Sequence, residues 1–402
     1  MQSKSKNFFT ILTFLGIYLL STGVSFAVFD YLKKPLELLE KKTTASTKEE
    51  NLLVDNSGPK NQICPLNGQK YTQVEKDVWA TRRPLTVMIE NHEEARPQSG
   101  LSSADVVYEA VAEGGITRFL TVFYCDVIAR ETIMGPIRSA RTYFVDWASE
   151  YGETPLYVHV GGAHCDPASG SGCEGGAKAD ALGQIGDYGW EGENDLNQFS
   201  IGYPTFWRDY ERIGHTVATE HTMYSTSERL WVVAKQRGWT NKDPEGIDWT
   251  KNFESWSFKD EGKEKDRKAS NNIEFSFWQD YDAYKVKWEY DEKTNSYKRF
   301  NGGNPHLDLN NNQQLAVKNV AVLFMKELSA DDGYQGNLHL LYNTIGEGKM
   351  LLFQDGQAIE GKWVKKSRIQ RTKFYTQTGK ELKFNPGKIW LEIVPTGANI
   401  AY

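Results

Sequence analysis

The chain has no Ser-His-Asp order, no nucleophile elbow, no P-loop and no HExxH motif, which disfavours the common hydrolase, nucleotide-binding and zinc-protease classes. It also lacks a basic stripe and any aromatic–basic RNA motif. With 47 Lys and Arg against 53 Asp and Glu, the formal charge is −6, and nucleic acid is not an expected partner. Cysteines number four and histidines seven. Only one apolar run is long enough to cross a bilayer, and it lies near the amino terminus.

That run extends without a charge from Phe8 to Phe29, behind Lys4 and Lys6. At ~1.5 Å per residue it matches a hydrocarbon core of ~30 Å. It reads as a signal anchor in residues 1–29, with Phe26 and the absence of a helix break before Ala27 arguing against cleavage. The alternative is a secreted protein cut near Ala27, with Ser25 and Ala27 as the small residues. Residues 30–63 are polar and poor in aromatics, the composition of a flexible stalk. Both readings place the rest of the chain outside the cytoplasm, the first as a single-pass protein of the cell membrane. The remaining length exceeds one ordinary core and predicts two domains, residues 64–245 and 252–398.

An oxidising compartment suits disulfides. Cys165 and Cys173 sit in a loop of Gly, Ser, Asp and Pro that can bring their sulfurs together, and Cys64 with Cys125 forms the second pair by elimination. A metal site from His159, His164, Cys165 and Cys173 fits no zinc spacing, so neither a metal nor another cofactor is expected.

The first domain alternates strand and helix. Strands are expected at Thr86–Ile89, in ADVVYEA, from Gly115 to Cys125 and in TPLYVHV; helices from Ser139 through Tyr151, at Ala177–Ile185 and at Ser227–Arg237. This is an α/β domain: a mixed sheet with flanking helices. The second domain reads as smaller and all-β. In AYKVKWEYDEKTNSYKRF, Tyr284, Val286, Trp288 and Tyr290 alternate with charges around a Thr294-Asn295 turn. NVAVLF, KMLLF, AIEGKWVK and KIWLEIVP supply further strands, and Lys259–Lys268 reads as a solvated tip.

Charge concentrates between Glu90 and Asp146. Arg96, Arg118, Arg138 and Arg141 share this stretch with Glu90, Asp105, Glu109, Glu113 and Asp146, and packed domains seldom tolerate such density unless the charges pair or bind something. GPIRSAR is expected to open a helix capped by Ser139, whose free N–H groups and dipole favour an anion; Arg138 and Arg141 add forked donors. Arg118 and His159 are expected at the same sheet rim. The candidate anion site is therefore Arg118, Arg138, Ser139, Arg141 and His159. The alternative is a structural network with the five carboxylates as partners.

Several segments are similar to a known family. ENHEEARPQSGLSSADVVYEAVAEGGITRFLTVF, GPIRSARTYFVD, YVHVGG and EHTMYSTS resemble the N-terminal domain of the YerB-like bacterial envelope lipoproteins. Tyr284–Asp308, Asn319–Val322 and Gly361-Lys362-Trp363 resemble that family's C-terminal domain. The resemblance runs from about Cys64 to Pro395. It implies a domain of unknown function at the cell surface, in at least one member alongside the peptidoglycan synthesis machinery. This chain departs from the family pattern in lacking a lipoprotein cysteine and in carrying Cys165 and Cys173; a transmembrane anchor takes the place of lipid.

The reading ranked first is a membrane-tethered, non-catalytic factor that binds cell-wall synthesis or division proteins, or peptidoglycan. Behind it stand an enzyme acting on a phosphorylated or carboxylated envelope substrate and a glycan-binding protein.

Overall fold

In a computed structural model, which describes residues 53–267, 272–334 and 339–402, the buried apolar strands of both expected domains meet in one sheet. The first segment contributes β1 (Leu85–Glu90), β2 (Val106–Glu113), β3 (Ile116–Phe123), β4 (Leu156–His159) and β5 (Asp195–Asn197). The second contributes a hairpin, β6 (Val286–Asp291) and β7 (Ser296–Asn301), then β8 (Asn319–Met325), β9 (Gly346–Gln354), β10 (Gln357–Lys365), β11 (Lys373–Thr376) and β12 (Ile389–Pro395). The sheet order is β11-β10-β9-β8-β12-β2-β3-β1-β4-β5. The halves join where β12 runs parallel to β2, Glu392 beside Glu109. Strands in the middle are buried on both faces and read as near-continuous apolar runs: every residue of β1 and β8 is buried.

The turns explain the antiparallel pairs. Gly114 and Gly115 link β2 to β3 with φ of 56° and 81°; Asp355 and Gly356 link β9 to β10 with 53° and 66°. Two successive positive φ values match the twist of a tight hairpin. The β6–β7 hairpin stands apart from the large sheet and alternates as expected, Val286 and Trp288 inward, Lys285, Lys287 and Glu289 outward, with Asn295 at φ 49° in its turn.

Helices are few and short: α1 (Gln73–Trp79), α2 (Thr142–Ala148), α3 (Ala181–Asp187) and α4 (Ser227–Gln236) are the main ones described. The flanking layer expected from the sequence is correspondingly thin. Ser139 does not cap α2. The backbone of Ile137–Ala140 is extended and stitched to its surroundings, Ile137 N–H to Met223 O, Arg138 N–H to Met88 O and Ala140 N–H to Gly161 O, so the helix starts only after Arg141. Likewise α3 starts at Ala181, where the Asp180 carboxylate accepts from Gly183 N–H.

Both disulfides are present, Cys64–Cys125 and Cys165–Cys173. The first ties the domain's start to the end of β3. Residues 53–63, expected as the last of the stalk, are docked rather than free: Leu53 N–H donates to Ala129 O at 2.8 Å, and Gln62–Ile63 pairs with Lys70–Tyr71. Lys259 is also tied in, its Nζ donating to Asp355 at 2.6 Å; Lys268 lies outside the described residues, as do the run Phe8–Phe29 and the stalk up to residue 52. Among the described residues no helix is long and apolar enough to cross a membrane.

Candidate functional site

Strand β2 carries two of the five carboxylates, four residues apart. Strict alternation would point Glu109 and Glu113 to one face. The pairing with β3 instead shifts register between Val111 and Glu113, a bulge that inserts one residue and turns Glu113 over. Glu109 thus shares a face with Phe119, and Glu113 with Ile116 and Arg118.

On Glu113's face, Arg118 Nη2 donates to Glu113 Oε1 at 2.7 Å, and Arg141 gives Glu113 Oε2 both Nε at 3.1 Å and Nη2 at 2.6 Å. Arg118 also donates to Ser139 O at 2.9 Å, and Arg141 to Ala140 O at 2.7 Å. Burial alone would lift the Glu113 carboxyl, but the two guanidiniums hold it at about 2. The next carboxylate, Glu90, takes Arg138 Nε at 2.9 Å on one oxygen and His221 Nδ1 at 2.7 Å on the other. Three guanidiniums therefore share two carboxylates.

These groups back a cavity of about 510 Å³ whose walls include Glu113, Arg138, Ser139, Arg141, His164 and His339. Arg141 is nearly consumed by its internal bonds. Arg138 is not: its side chain is 26% exposed, only Nε is engaged, and among the described residues nothing accepts from its two terminal nitrogens. Asp166 on the same wall is occupied by Ala168 N–H at 2.9 Å and the Ser169 hydroxyl at 2.6 Å. His339 Nδ1 lies 2.7 Å from Asp332.

The site departs from expectation in three ways. His159 belongs elsewhere: it is fully buried, Nε2 at 2.6 Å from Asp195 and Nδ1 at 2.6 Å from Gly161 O, which leaves it nothing to offer a ligand. Arg118 lies behind Glu113 rather than on the wall, and α2, at seven residues and without a side-chain cap, is no anchor for an anion. Three of the five acidic residues pair with no arginine of the cluster. Asp105 accepts from Tyr124 N–H at 2.7 Å, Cys125 N–H at 3.0 Å and Asn67 at 2.6 Å beside the Cys64–Cys125 bridge, and burial with Asp126 nearby pushes its carboxyl up to about 7. Asp146 accepts from Gln184, Tyr188 and Thr344. Glu109 pairs with Arg299 of the β6–β7 hairpin, which lies outside the large sheet.

Arg299 is the residue the sequence reading missed. It is fully buried on β7, between the rings of Trp288, Trp390 and Phe119, and donates to Glu109 and, at 2.6 Å, to His306 Nδ1; His306 Nε2 continues to Gln98 Oε1 at 2.7 Å. Burial and the neighbouring Glu109 lift the Glu392 carboxyl well above the usual range, and Arg299 beside it works against that rise. A signal existed in the hairpin: Tyr297, Arg299 and Asn301 alternate with Lys298 and Phe300, which puts Arg299 on the inward face. Trp288 is fully buried in the same cluster, so it is no platform for a glycan.

The fold and site define a mixed-sheet protein built from two chain segments, with a polar, arginine-walled cavity at the end of its central strand. The chain belongs to the DUF3048 family of proteins of unknown function: the model of its N-terminal domain matches residues 71–240 and that of its C-terminal domain residues 273–391. A Bacillus subtilis (strain 168) protein named "Putative lipoprotein YerB" is 31% identical over 333 residues, 83% of this chain and 86% of that protein. The crystal structure of the YerB protein from Bacillus subtilis matches with a TM-score of 0.65 at 27% identity, covering 85% of this chain and 100% of that one.

Proposed function

We propose that this is a membrane-tethered, extracytoplasmic binding factor of the cell envelope, which receives the anionic group of an envelope component at Arg138 and serves cell-wall synthesis or division as an accessory protein. One observation carries the reading: two guanidinium nitrogens of Arg138, without a hydrogen-bond acceptor among the described residues, belong to the wall of a cavity of about 510 Å³. A planar fork of this kind suits a carboxylate or phosphate. The tether is the uncharged run Phe8–Phe29, and the name of the Bacillus relative, a lipoprotein, supports an envelope setting. All four cysteines are paired, which leaves no thiol for lipid and suits an oxidising compartment.

Binding ranks above catalysis because the carboxylate best placed on the wall cannot move protons near neutrality. A group held at about 2 stays ionised there and is a poor general acid or base. The oriented His339–Asp332 pair is the acid–base arrangement on that wall which favours an enzyme.

Photo-crosslinking in intact cells, with the probe placed beside the cavity, tests the reading. A cell-wall synthesis or division protein, or peptidoglycan, should be captured by the parent and lost in Arg138→Ala at equal protein level. Equal capture by both, or capture of neither class, overturns it. Turnover of a phosphorylated envelope substrate that depends on His339 would move the assignment to the enzyme.

A further inference from the structure

Beyond the cavity wall, on the far side of Glu90, lies a second cluster. His92 precedes a short helical turn, Glu93–Ala95, that carries Glu94; His221 ends another, Thr219–His221. The two imidazoles are stacked, centroids 4.8 Å apart and planes 15° from parallel. One donor atom from each of His92, Glu94 and His221 lies within 4.8 Å of the others.

We propose that His92, Glu94 and His221 bind a divalent transition-metal ion of the zinc class, with Glu90 orienting His221 from behind. The donor set is right for such an ion: two imidazoles and one carboxylate, leaving a position for water. His221 Nδ1 is engaged by Glu90 at 2.7 Å, which makes Nδ1 the protonated nitrogen of the neutral ring and turns the Nε2 lone pair outward. That lone pair faces Glu94 Oε2 at 3.7 Å. Two electron-rich atoms at that distance repel unless a proton or a cation stands between them. A carboxylate behind a histidine whose other nitrogen points at an acidic donor is the usual outer shell of a zinc ligand.

The geometry needs the His92 ring to turn out of its stack with His221 and the Glu94 carboxylate to close in. With bonds of ~2.0–2.2 Å, donors on a tetrahedral ion are roughly 3.3–3.5 Å apart, against 3.7 Å between His221 and Glu94. The residue that must move most is the freest, since the Glu94 side chain is 57% exposed, and the ion pair with His221 is its one bond among the described residues. His92 is half-buried, and its Nδ1 accepts only a long contact of 3.3 Å from Glu94 N–H, so its ring can turn. His221 is buried and fixed. One rigid ligand with two mobile ones at the surface gives the ion a route in. Among the described residues the other His, Cys and carboxylate grouping of this kind, Cys64, Asp105 and Cys125, has both its sulfurs in a disulfide.

The site does not depend on what the cavity binds, although Glu90 joins the two by holding Arg138 as well as His221.

Titration of the full-length protein in detergent with Co²⁺, then competition with Zn²⁺, tests it. One equivalent should bind with the visible absorption of a four- or five-coordinate cobalt ion. His92→Ala and Glu94→Ala should each weaken binding at least about tenfold, and Glu90→Gln by about 10–100-fold, the usual effect of losing an outer-shell carboxylate. If His221→Ala fails to fold, the two surface variants decide alone. The proposal is overturned by no stoichiometric binding, in which case His221 is simply protonated between Glu90 and Glu94, or by His92→Ala and Glu94→Ala binding the ion as the parent does.

Discussion

The two faces of β2 hold the same chemistry in opposite states. On one face Glu109 meets Arg299 with both side chains at 0% exposure, roofed by the β6–β7 hairpin. On the other Glu113 meets Arg118 and Arg141, and beyond them Arg138 opens to solvent. The sealed cluster is largely bonded within itself: Arg299, His306, Gln98, Asn91, Thr117 and Glu109 form one chain of hydrogen bonds, and Arg299 Nε and Glu392 Oε2 are left without a hydrogen-bond partner among the described residues. The open cluster has one guanidinium more than it has carboxylates. Charge density in a sequence therefore does not distinguish a structural network from a binding wall; what covers the face does.

The largest effect should come from the sealed face. Arg299→Met leaves Glu109 buried without its partner, and losing one member of a buried pair costs about 3–5 kcal/mol. Chemical denaturation should show a loss of that size, with the fold destabilised across both chain segments because Arg299 comes from one and Glu109 from the other. A loss below about 1 kcal/mol would erase the distinction between the faces.

Next comes Glu113, through pH. Its folded value of about 2 lies below the ordinary 4.5, so it contributes stability that is present above the unfolded value and is lost as pH falls from about 4.5 toward 2. The shift corresponds to roughly 3 kcal/mol. Asp105 runs the other way: raised to about 7, it favours the fold below its unfolded value of 3.8, and that contribution is lost as pH rises through about 7. Thermal unfolding from pH 2 to 8 should show both slopes, the acid one missing in Glu113→Gln and the neutral one missing in Asp105→Asn.

Much of the frame was legible in the sequence because local signals and burial agreed. The β6–β7 hairpin, the strands of the large sheet other than β5 and β11, and α4 follow from alternation, turn residues and apolar periodicity, and the disulfide pairs from the composition of the Cys165–Cys173 loop and elimination. Two things were not legible. The bulge at Val111–Glu113 depends on pairing with β3, and without it Glu109 and Glu113 fall on one face and merge two clusters into one. The parallel join of β12 to β2 links residues nearly three hundred apart, and no local pattern announces it. Ser139 misled for a related reason: it has a capping side chain, but tertiary hydrogen bonds keep Ile137–Ala140 extended.

The Cys165–Cys173 loop offers a milder test. It supplies Asp166, Ser169 and Ser171 to the cavity wall opposite the arginines. Replacing both cysteines with serine removes the constraint of a short loop, worth about 2–3 kcal/mol in the chain-entropy account. The melting temperature should fall, and capture of the envelope partner should weaken even where the protein is fully folded. Lower stability with unchanged capture would confine binding to the arginine side of the cavity.

Arg138→Ala should have the smallest effect on stability and the largest on function. Its side chain is 26% exposed, and Glu90 keeps His221 when the guanidinium is gone, so no buried carboxylate is left bare. Partly exposed pairs are worth about 0–1 kcal/mol, and the melting temperature should move by no more than that implies. Arg141→Ala is the matched control. It strips Glu113 of two of its three donated bonds while Arg118 remains, so it should destabilise by more than Arg138→Ala. If Arg138→Ala unfolds the protein as readily as Arg141→Ala, the open face is a second structural network, and the contrast between the two sides of β2 reduces to their solvent exposure. If it keeps the fold and loses the partner, the surplus guanidinium is what the cavity exists to present.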